Sequence, residues 1–378
     1  MAQTINISSH FDSGNISVIS ADSCADIQLE INKDAHSDFY QWFHYRLQST
    51  AGVEHVMRIM NAANAAYIEG WENYQAVASY DRNTWFRVDS DYVNGELIIR
   101  HTPEQSSVFY AYFAPYSYER HLDLLQGAQE SSLCRLEHLG ETLDGRDMTV
   151  AVIGESDPSK KAVWIIARQH PGESMAEWFA EGVLGRLLDE DDPVSKKLLQ
   201  SCTFYVVANM NPDGSVRGHL RTNAVGANLN REWLDATMNK CPEVYLVREK
   251  MLETKVELFL DIHGDEAIAH NFLAGCEGIP SFDERHKSKQ DSFKASFLKA
   301  SPDFQVEHGY PEDEPKQANL SMASTWVGEQ FHCLSYTLEM PFKDNDDLPD
   351  PTFGWSAERS YRLGESVLLP ILEVVSNY

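Results

Sequence analysis

The sequence has no long hydrophobic run, no close pair of cysteines and no excess of positive charge. Across its 378 residues, no apolar run approaches the length of a membrane span. The start, MAQTINISSHFDSG, carries neither the basic nor the apolar region of a secretory signal. We therefore predict a cytoplasmic protein that does not bind membranes.

Cysteine usage, charge and absent motifs exclude further classes. The six cysteines are scattered, which argues against a C-x-x-C metal site and a disulfide framework. With 31 Lys and Arg against 58 Asp and Glu, the net charge is −27, so nucleic acid and anionic membranes would be repelled. The sequence also lacks H-E-x-x-H, G-x-S-x-G and P-loop motifs. Composition leaves the oligomeric state open.

The first part of the chain has the pattern of short antiparallel strands. At 378 residues the chain is long enough for two domains. Up to about residue 115, apolar and polar residues alternate in short segments separated by turn signals. The predicted strands are Asn15–Ile19, Ile27–Ile31, Phe39–Leu47, Thr84–Val88, Glu96–Arg100 and Val108–Phe113. We predict an antiparallel β-sandwich over residues 1–115.

After residue 115, compact apolar runs alternate with helical patterns. The predicted strands are Met148–Ile153, Val163–Ala167, Phe204–Ala208, Leu258–Ile262 and Leu334–Leu338. The predicted helices are Tyr118–Ala128, Met175–Leu188, Pro193–Gln200, Val244–Glu253 and Tyr361–Val375. This alternation predicts an α/β domain with a mixed sheet over residues 116–378. Residues 278–323 are irregular and charged, and are too long for an ordinary loop.

A His and a Glu lie where a predicted strand gives way to a helix. His170 and Glu173 follow the apolar run Val163–Ala167, and Ser174 and Glu177 have the spacing of a capping box at the next helix. The chain contains four His-x-x-Glu pairs, so this context, and not the spacing, distinguishes the pair. Ligand sites in open α/β sheets lie at such strand ends.

Polar groups also follow two other predicted strands. His263 comes after one strand and Glu339 after another, and strand ends of a parallel sheet converge. We therefore expect both to meet His170 and Glu173. Two His and one carboxylate suit a zinc ion with an open position, and a further carboxylate can take a proton from water. The set predicts metal-assisted amide hydrolysis.

An ordered set of motifs runs through the second part of the chain: HisProGlyGluSer at 170–174, AsnProAspGly at 211–214, HisLeuArgThrAsn at 219–223, GlyAlaAsnLeuAsnArgGluTrp at 226–233, AspIleHisGly at 261–264 and TyrThrLeuGluMet at 336–340. In these motifs the chain resembles the zinc metallocarboxypeptidases of the carboxypeptidase A type, and within them the cytosolic carboxypeptidases. PheAspSerGlyAsn at 11–15, GlnTrpPheHisTyr at 41–45 and AlaTyrPheAlaProTyrSerTyr at 111–118 resemble the β-sandwich of the cytosolic subgroup. The resemblance implies a mixed-sheet α/β catalytic domain preceded by that sandwich.

The resemblance also implies the chemistry. His170, Glu173 and His263 would bind one zinc ion per chain. Glu339 would be the general base that later protonates the leaving amine. Arg221 resembles the residue that polarises the scissile carbonyl.

The substrate implied by the resemblance is the C-terminus of a peptide or protein, or a polyglutamate side chain. Asn230 and Arg231 resemble the pair that grips the C-terminal carboxylate. Tyr310 is assigned from position alone as the tyrosine that caps the substrate. Asn228 stands where carboxypeptidase A has an Asp, which predicts weaker support for a ligand His.

Specificity and two alternative functions stay open at this point. The cytosolic subgroup often removes acidic residues, yet residues 321–332, before the last strand, contain no Lys or Arg. A zinc-dependent deacylase of small N-acyl amino acids would share the fold and the ligands. A non-catalytic binding protein with a vestigial metal site is the third hypothesis.

Overall fold

The N-terminal part of the protein is built from short strands. The structure is a computed structural model that describes residues 5–377. The strands before residue 112 are β1 Asn6–Ser8, β2 Ser17–Ser23, β3 Asp26–Glu30, β4 His44–Gln48, β5 His55–Ile59, β6 Val77–Ser79, β7 Phe86–Arg87, β8 Ser90–Val93, β9 Glu96–His101 and β10 Ser107–Ala111. Short 3-10 helices cover Ala62–Asn64 and Ile68–Trp71.

These strands form two five-stranded sheets, ordered β1-β4-β10-β6-β7 and β2-β3-β5-β9-β8. Alternate residues of β5 are buried, as expected when one face of a strand meets a core. Most pairs are antiparallel, in agreement with the predicted pattern. The β3/β5 pair is parallel, which the sequence reasoning did not anticipate, because β5 itself was missed.

The rest of the chain alternates strands and helices. The helices are α1 Tyr118–Ala128, α2 Met175–Leu187, α3 Pro193–Ser201, α4 Pro212–Arg217, α5 Pro242–Thr254, α6 Glu284–Ala300, α7 Ala323–Phe331, α8 Ala357–Ser366 and α9 Leu368–Asn377, with a 3-10 turn at Leu229–Arg231. The strands are β11 Cys134–Glu141, β12 Asp147–Ile153, β13 Lys161–Ala167, β14 Cys202–Val207, β15 Leu258–Asp265, β16 Phe272–Ala274 and β17 Leu334–Pro341.

One seven-stranded mixed sheet, ordered β11-β12-β14-β13-β15-β17-β16, organises this part. Its central pairs β14/β13, β13/β15 and β15/β17 are parallel, and the flanking pairs are antiparallel. Every residue of β14 and β17 is buried, and most of these residues are apolar, because helices cover both faces. The predicted fold class, a mixed α/β sheet preceded by a β-rich part, is confirmed.

Local details differ from the sequence expectations. The predicted capping box is wrong: Ser174 makes no side-chain cap bond, and its hydroxyl donates to the carbonyl of Ala114 at 2.9 Å. Glu177 instead accepts from the buried guanidinium of Arg168 at 2.7 Å.

The predicted final helix is two helices that meet at Val367. Pro370 lies in the first turn of the second helix, where its missing N–H costs no hydrogen bond. Residues 278–323 contain the 17-residue helix α6.

The β-rich part and the α/β part share a buried contact. The rings of Tyr112 and Phe342 stack at 4.6 Å between centroids. Arg87 donates from β7 to the carbonyls of Phe342, Lys343 and other residues of the α/β part. All six cysteines are buried and none of them is in a disulfide, and within residues 5–377 no helix is long and apolar enough to cross a membrane.

Candidate active site

Three side chains with metal-binding atoms converge at the carboxyl ends of β13 and β15. His170 and Glu173 lie on the loop that joins β13 to α2, and His263 lies on β15. The Nδ1 atoms of His170 and His263 lie 2.6 and 2.7 Å from the two carboxylate oxygens of Glu173. All three residues are buried, so these atoms are shielded from competing water.

The outer nitrogens of both imidazoles face hydrogen-bond acceptors. Nε2 of His263 lies 2.9 Å from Asp261 Oδ2, and Nε2 of His170 lies 3.0 Å from Asn228 Oδ1. The same amide oxygen accepts from the backbone N–H of Asn230 at 3.2 Å, which orients the Asn228 side chain. A proton on each Nε2 leaves both Nδ1 lone pairs directed at the Glu173 carboxylate. Such a convergence of lone pairs fits a divalent cation, and the His, His, Glu set suits zinc.

Electrostatics around the two imidazoles differ. Burial, reinforced by the charge of Arg221, lowers the pKa of His170 to about 4, so this ring is neutral and has a free lone pair at neutral pH. Burial also opposes charge on His263, but the carboxylates of Asp261 and Glu173 on either side raise its pKa well above the usual range. Metal binding to this pair of carboxylate-flanked rings would displace a proton.

Glu339 lies beside this cluster, on the neighbouring strand. It is the direct partner of His263 in the parallel β15/β17 ladder. Its carboxylate is buried, Oε2 has no hydrogen-bond partner, and Oε1 has only a long 3.4 Å contact from the Tyr310 hydroxyl. Burial raises the pKa of Glu339 well above its usual range, and the nearby carboxylate of Glu173 adds to the effect. An oxygen free of donors is available to hold a proton.

Two arginines face the same cleft without carboxylate partners. Arg221 and Arg231 form no ion pair with any residue between 5 and 377, although the chain has 58 acidic residues. The Arg221 guanidinium lies 5.5 Å from the ring centroids of Phe39 and Tyr67. Desolvation, and then the charge of Arg221, lower the pKa of Arg231. Two guanidiniums without carboxylate partners that line one cleft can bind an anion there.

Asn230 and Tyr310 complete the predicted set. The Asn230 amide accepts from the N–H of Ala323 at 2.8 Å, and its nitrogen lies 3.4 Å from His263 Nε2. Tyr310 packs edge-on against Phe272 at 4.8 Å, and its hydroxyl donates to Asp265 at 2.6 Å. This ring is 47% exposed and lies at the cleft, next to Glu339.

All of the predicted site residues line one cleft of about 830 Å³. They are His170, Glu173, His263, Glu339, Arg221, Asn230, Arg231 and Tyr310. The same cleft contains Lys294 of α6 and Glu277, whose charged groups lie 3.8 Å apart. Lys294 lies on α6, outside residues 321–332, where the sequence has no Lys or Arg.

Sequence reasoning assigned no role to two other residues that orient a proposed ligand, Gln169 and Asp261. Gln169 donates to Asp261 at 2.7 Å and accepts from the Trp233 indole at 2.8 Å, which holds Asp261 against His263. Asp261 and His263 are two positions apart on β15, and this spacing on one face of a strand was the available signal. Tyr67 lies on the cleft wall but comes from the β-rich part, so no local signal could have found it.

Two family models match this chain, one over its β-rich part and one over its α/β part. A family model of the cytosolic carboxypeptidase N-terminal domain matches residues 7–113, and a zinc carboxypeptidase model matches residues 118–370. The chain belongs to the zinc carboxypeptidase family. It is therefore a hydrolase of peptide substrates whose cofactor is zinc, and the predicted family membership is confirmed.

Two solved metallo-carboxypeptidases match this chain over nearly their full length. A metallo-carboxypeptidase from Burkholderia cenocepacia has 50% sequence identity and a TM-score of 0.97, with 99% of this chain and 100% of that chain covered. A metallo-carboxypeptidase from Pseudomonas aeruginosa, solved in complex with (2-guanidinoethylmercapto)succinic acid, has 45% identity and a TM-score of 0.95, with 98% and 99% covered. Cytosolic carboxypeptidase 6 from Caenorhabditis elegans is 24% identical over 88% of this chain and 77% of its own length. Nothing in these comparisons favours the deacylase or the vestigial metal site.

Proposed function

We propose that this zinc carboxypeptidase removes single residues from the C-terminus of peptides, with His170, Glu173 and His263 as its metal ligands. The observation that carries the proposal is the convergence of both Nδ1 atoms on the Glu173 carboxylate, next to an unpartnered carboxylate oxygen of Glu339. When bound, zinc lowers the pKa of a coordinated water from about 15.7 toward about 7 and polarises a carbonyl oxygen.

Glu339 acts in this scheme as general base and then as general acid. Its free Oε2 atom takes a proton from the attacking water and later delivers it to the nitrogen of the leaving amino acid. Burial raises the pKa of Glu339, and the positive charge of bound zinc would offset this effect and favour the carboxylate form that takes the proton. Arg221 donates to the carbonyl oxygen of the scissile bond as negative charge develops there.

Arg231 and Asn230 hold the terminal carboxylate of the substrate. Arg231 lacks an acidic partner within the described part of the chain, so a bidentate pair with an incoming carboxylate does not compete with an internal ion pair. This requirement for a free carboxylate makes the enzyme an exopeptidase. Tyr310 caps the bound residue from the loop between α6 and α7.

Lys294 is proposed as the residue that selects the side chain of the departing amino acid. It lines the cleft together with Thr325 and Thr337, and its only acidic neighbour within the described ion pairs is Glu277 at the long distance of 3.8 Å. Burial raises the pKa of Glu277, which weakens its ability to neutralise Lys294. A positive pocket favours acidic C-terminal residues, including glutamates of a polyglutamate side chain.

We place the boundary between the β-sandwich and the catalytic domain after residue 115, just before α1. We also propose a cytoplasmic location, because none of the six cysteines is in a disulfide.

The proposal is tested with peptides that differ only in their C-terminal residue. Release of free amino acids is measured by mass spectrometry, with and without a zinc chelator. We expect chelator-sensitive release of one residue at a time, with acidic residues preferred, and loss of that preference in Lys294→Ala. Release of internal fragments, or no release by the zinc-loaded enzyme, would contradict a carboxypeptidase; in the second case, hydrolysis of N-acyl amino acids would support the deacylase.

A further inference from the structure

A buried carboxylate from the β-rich part holds the backbone of the loop that carries Arg221. Asp34 lies between β3 and β4 and is 2% exposed. Its Oδ1 atom accepts from the N–H of Leu220 at 2.7 Å, and its Oδ2 atom accepts from the N–H groups of Arg221 at 2.8 Å and Thr222 at 2.9 Å. The Thr222 hydroxyl donates to Oδ2 as well, at 3.0 Å.

Other backbone and side-chain bonds tie the same loop to the N-terminal residues. We call residues 216–227 the arginine loop. The N–H of Ser13 donates to the carbonyl of Val216 at 3.0 Å, and the Asn15 amide donates to the carbonyl of Gly218 at 2.8 Å. The N–H of Ala35 donates to His219 Nε2 at 3.0 Å. The arginine loop is therefore bonded to the β-rich part along much of its length.

Two glycines of the arginine loop make this contact possible. Gly218 and Gly226 have φ angles of +70° and +82°, in the left-handed region that favours glycine. A Cβ on Gly218 would lie 2.8 Å from the carbonyl oxygen of Ser13, and a Cβ on Gly226 would lie 2.4 Å from that of His36. The loop backbone thus packs directly against the backbone of the N-terminal part.

The side chain of Arg221 is also flanked by residues of the N-terminal part. The rings of Phe39 and Tyr67 each lie 5.5 Å from the guanidinium carbon, within cation–π distance. No carboxylate between residues 5 and 377 forms an ion pair with Arg221, so these contacts orient the group without neutralising it. A guanidinium that stays charged and unpaired remains available to a substrate oxygen.

We propose that Asp34 is a positioning residue for Arg221, and that the β-rich N-terminal part thereby completes the active site of the catalytic domain. The inference rests on the proposed role of Arg221 in polarising the scissile carbonyl. A misplacement of about 1 Å can cost about 100-fold in rate, and a carboxylate that accepts several N–H bonds fixes a loop within that tolerance. Asparagine at position 34 would turn a donor toward N–H groups and displace the loop.

The test is a double-mutant cycle that measures kcat, KM and bound zinc. For Asp34→Asn we expect kcat to fall by about 10- to 100-fold with zinc content unchanged. For Arg221→Ala we expect a loss of about 100- to 1,000-fold. Adding Asp34→Asn to Arg221→Ala should lower the residual rate by less than about twofold, because the positioned group is already absent.

A matched control separates positioning from general stability. Asp12 also lies in the N-terminal part and its side chain accepts a catalytic-domain N–H, that of Tyr118 at 2.6 Å, but within the described residues it forms no hydrogen bond to the arginine loop. Asp12→Asn should leave kcat within about twofold of the wild type. If Asp34→Asn does not fold, Phe39→Leu takes its place, with an expected loss of about tenfold that is absent in the Arg221→Ala background.

The rates of these variants distinguish failure of the inference about Asp34 from failure of the role proposed for Arg221. An equal loss for Asp34→Asn in both backgrounds would show a purely structural role and overturn the inference, as would an unchanged kcat. Near wild-type turnover by Arg221→Ala would instead refute the role proposed for that arginine.

Discussion

Replacing Glu339 with glutamine separates the proton-transfer step from folding and metal binding. Oε2 of Glu339 has no hydrogen-bond partner, and Oε1 has only the 3.4 Å contact with Tyr310, so the amide loses no short hydrogen bond. Burial raises the pKa of this carboxyl group, which means that its ionised form is unfavourable in the folded chain. We therefore expect the melting temperature of Glu339→Gln to be no lower than that of the wild type.

The same substitution should abolish most of the turnover. General acid–base catalysis contributes about 10²- to 10⁴-fold, which corresponds to about 3–5.5 kcal/mol of activation free energy. The three proposed ligands are untouched, so zinc content should stay at one ion per chain. The assay compares kcat on the best peptide of the C-terminal series with zinc measured by elemental analysis.

A matched variant controls for the loss of a negative charge near the cleft. Glu312 lies exposed at the mouth of the same cleft, and Glu312→Gln should keep turnover within about threefold of the wild type. Turnover by zinc-loaded Glu339→Gln within about tenfold of the wild type would refute the assignment of Glu339 as the base.

Three further predictions follow from the site and from one buried acid. His170→Ala should lose zinc during dialysis, measured as metal per chain, because two donors remain. Arg231→Ala should raise KM by about 10- to 100-fold with a smaller effect on kcat, measured by initial rates, because a charge-assisted hydrogen bond to the substrate carboxylate is lost. Glu243 is buried, its pKa is raised to about 8 by burial and by the carboxylate of Asp213, and among residues 5–377 its one side-chain donor is the Asn223 amide at 3.4 Å. Between about pH 4.5, the pKa of an unfolded Glu, and about pH 8, the folded chain keeps this proton and the unfolded chain loses it. The free energy of unfolding of the wild type should therefore fall as the pH rises through this range, by up to about 1.4 kcal/mol per pH unit. Denaturant titrations of Glu243→Gln should lack this part of the pH dependence.

Each of these predictions has a result that contradicts it. Stoichiometric zinc in dialysed His170→Ala would rule out that ligand. An Arg231→Ala enzyme that still discriminates between a free C-terminal acid and its amide as strongly as the wild type would exclude carboxylate recognition by Arg231. An identical slope of unfolding free energy against pH for Glu243→Gln and the wild type would show that Glu243 titrates normally.

Elements whose pattern is dominated by burial were predictable from the sequence. β13 and β17 carry mostly apolar residues because both faces of the sheet are covered, and both were located to within three residues at each end. α1 was predicted with its observed bounds. β5 was missed, because its five residues HVMRI give too short an alternation to stand out beside its neighbours.

The types and order of the candidate ligands were also readable in the sequence, because a strand end followed by a helix is a local pattern. His170 and Glu173 are three residues apart, and His263 directly follows an apolar run. Their roles as ligands stay a prediction, as does the role of Glu339. The mixed-sheet fold and the zinc carboxypeptidase family are confirmed.

The types of side chain that form the site could thus be read from local sequence patterns. The surroundings of each of these side chains were decided only by the tertiary structure. Asp34 and Arg221 are 187 residues apart, and Gln169 and Asp261 are 92 apart, so no local pattern relates them. The packing of the β-rich part against the arginine loop brings the first pair together, and the parallel pairing of β13 with β15 brings the second. Sequence periodicity reports which residues are buried, but it does not report which distant partner a buried polar group will meet, and in this protein those partners orient the groups of the site.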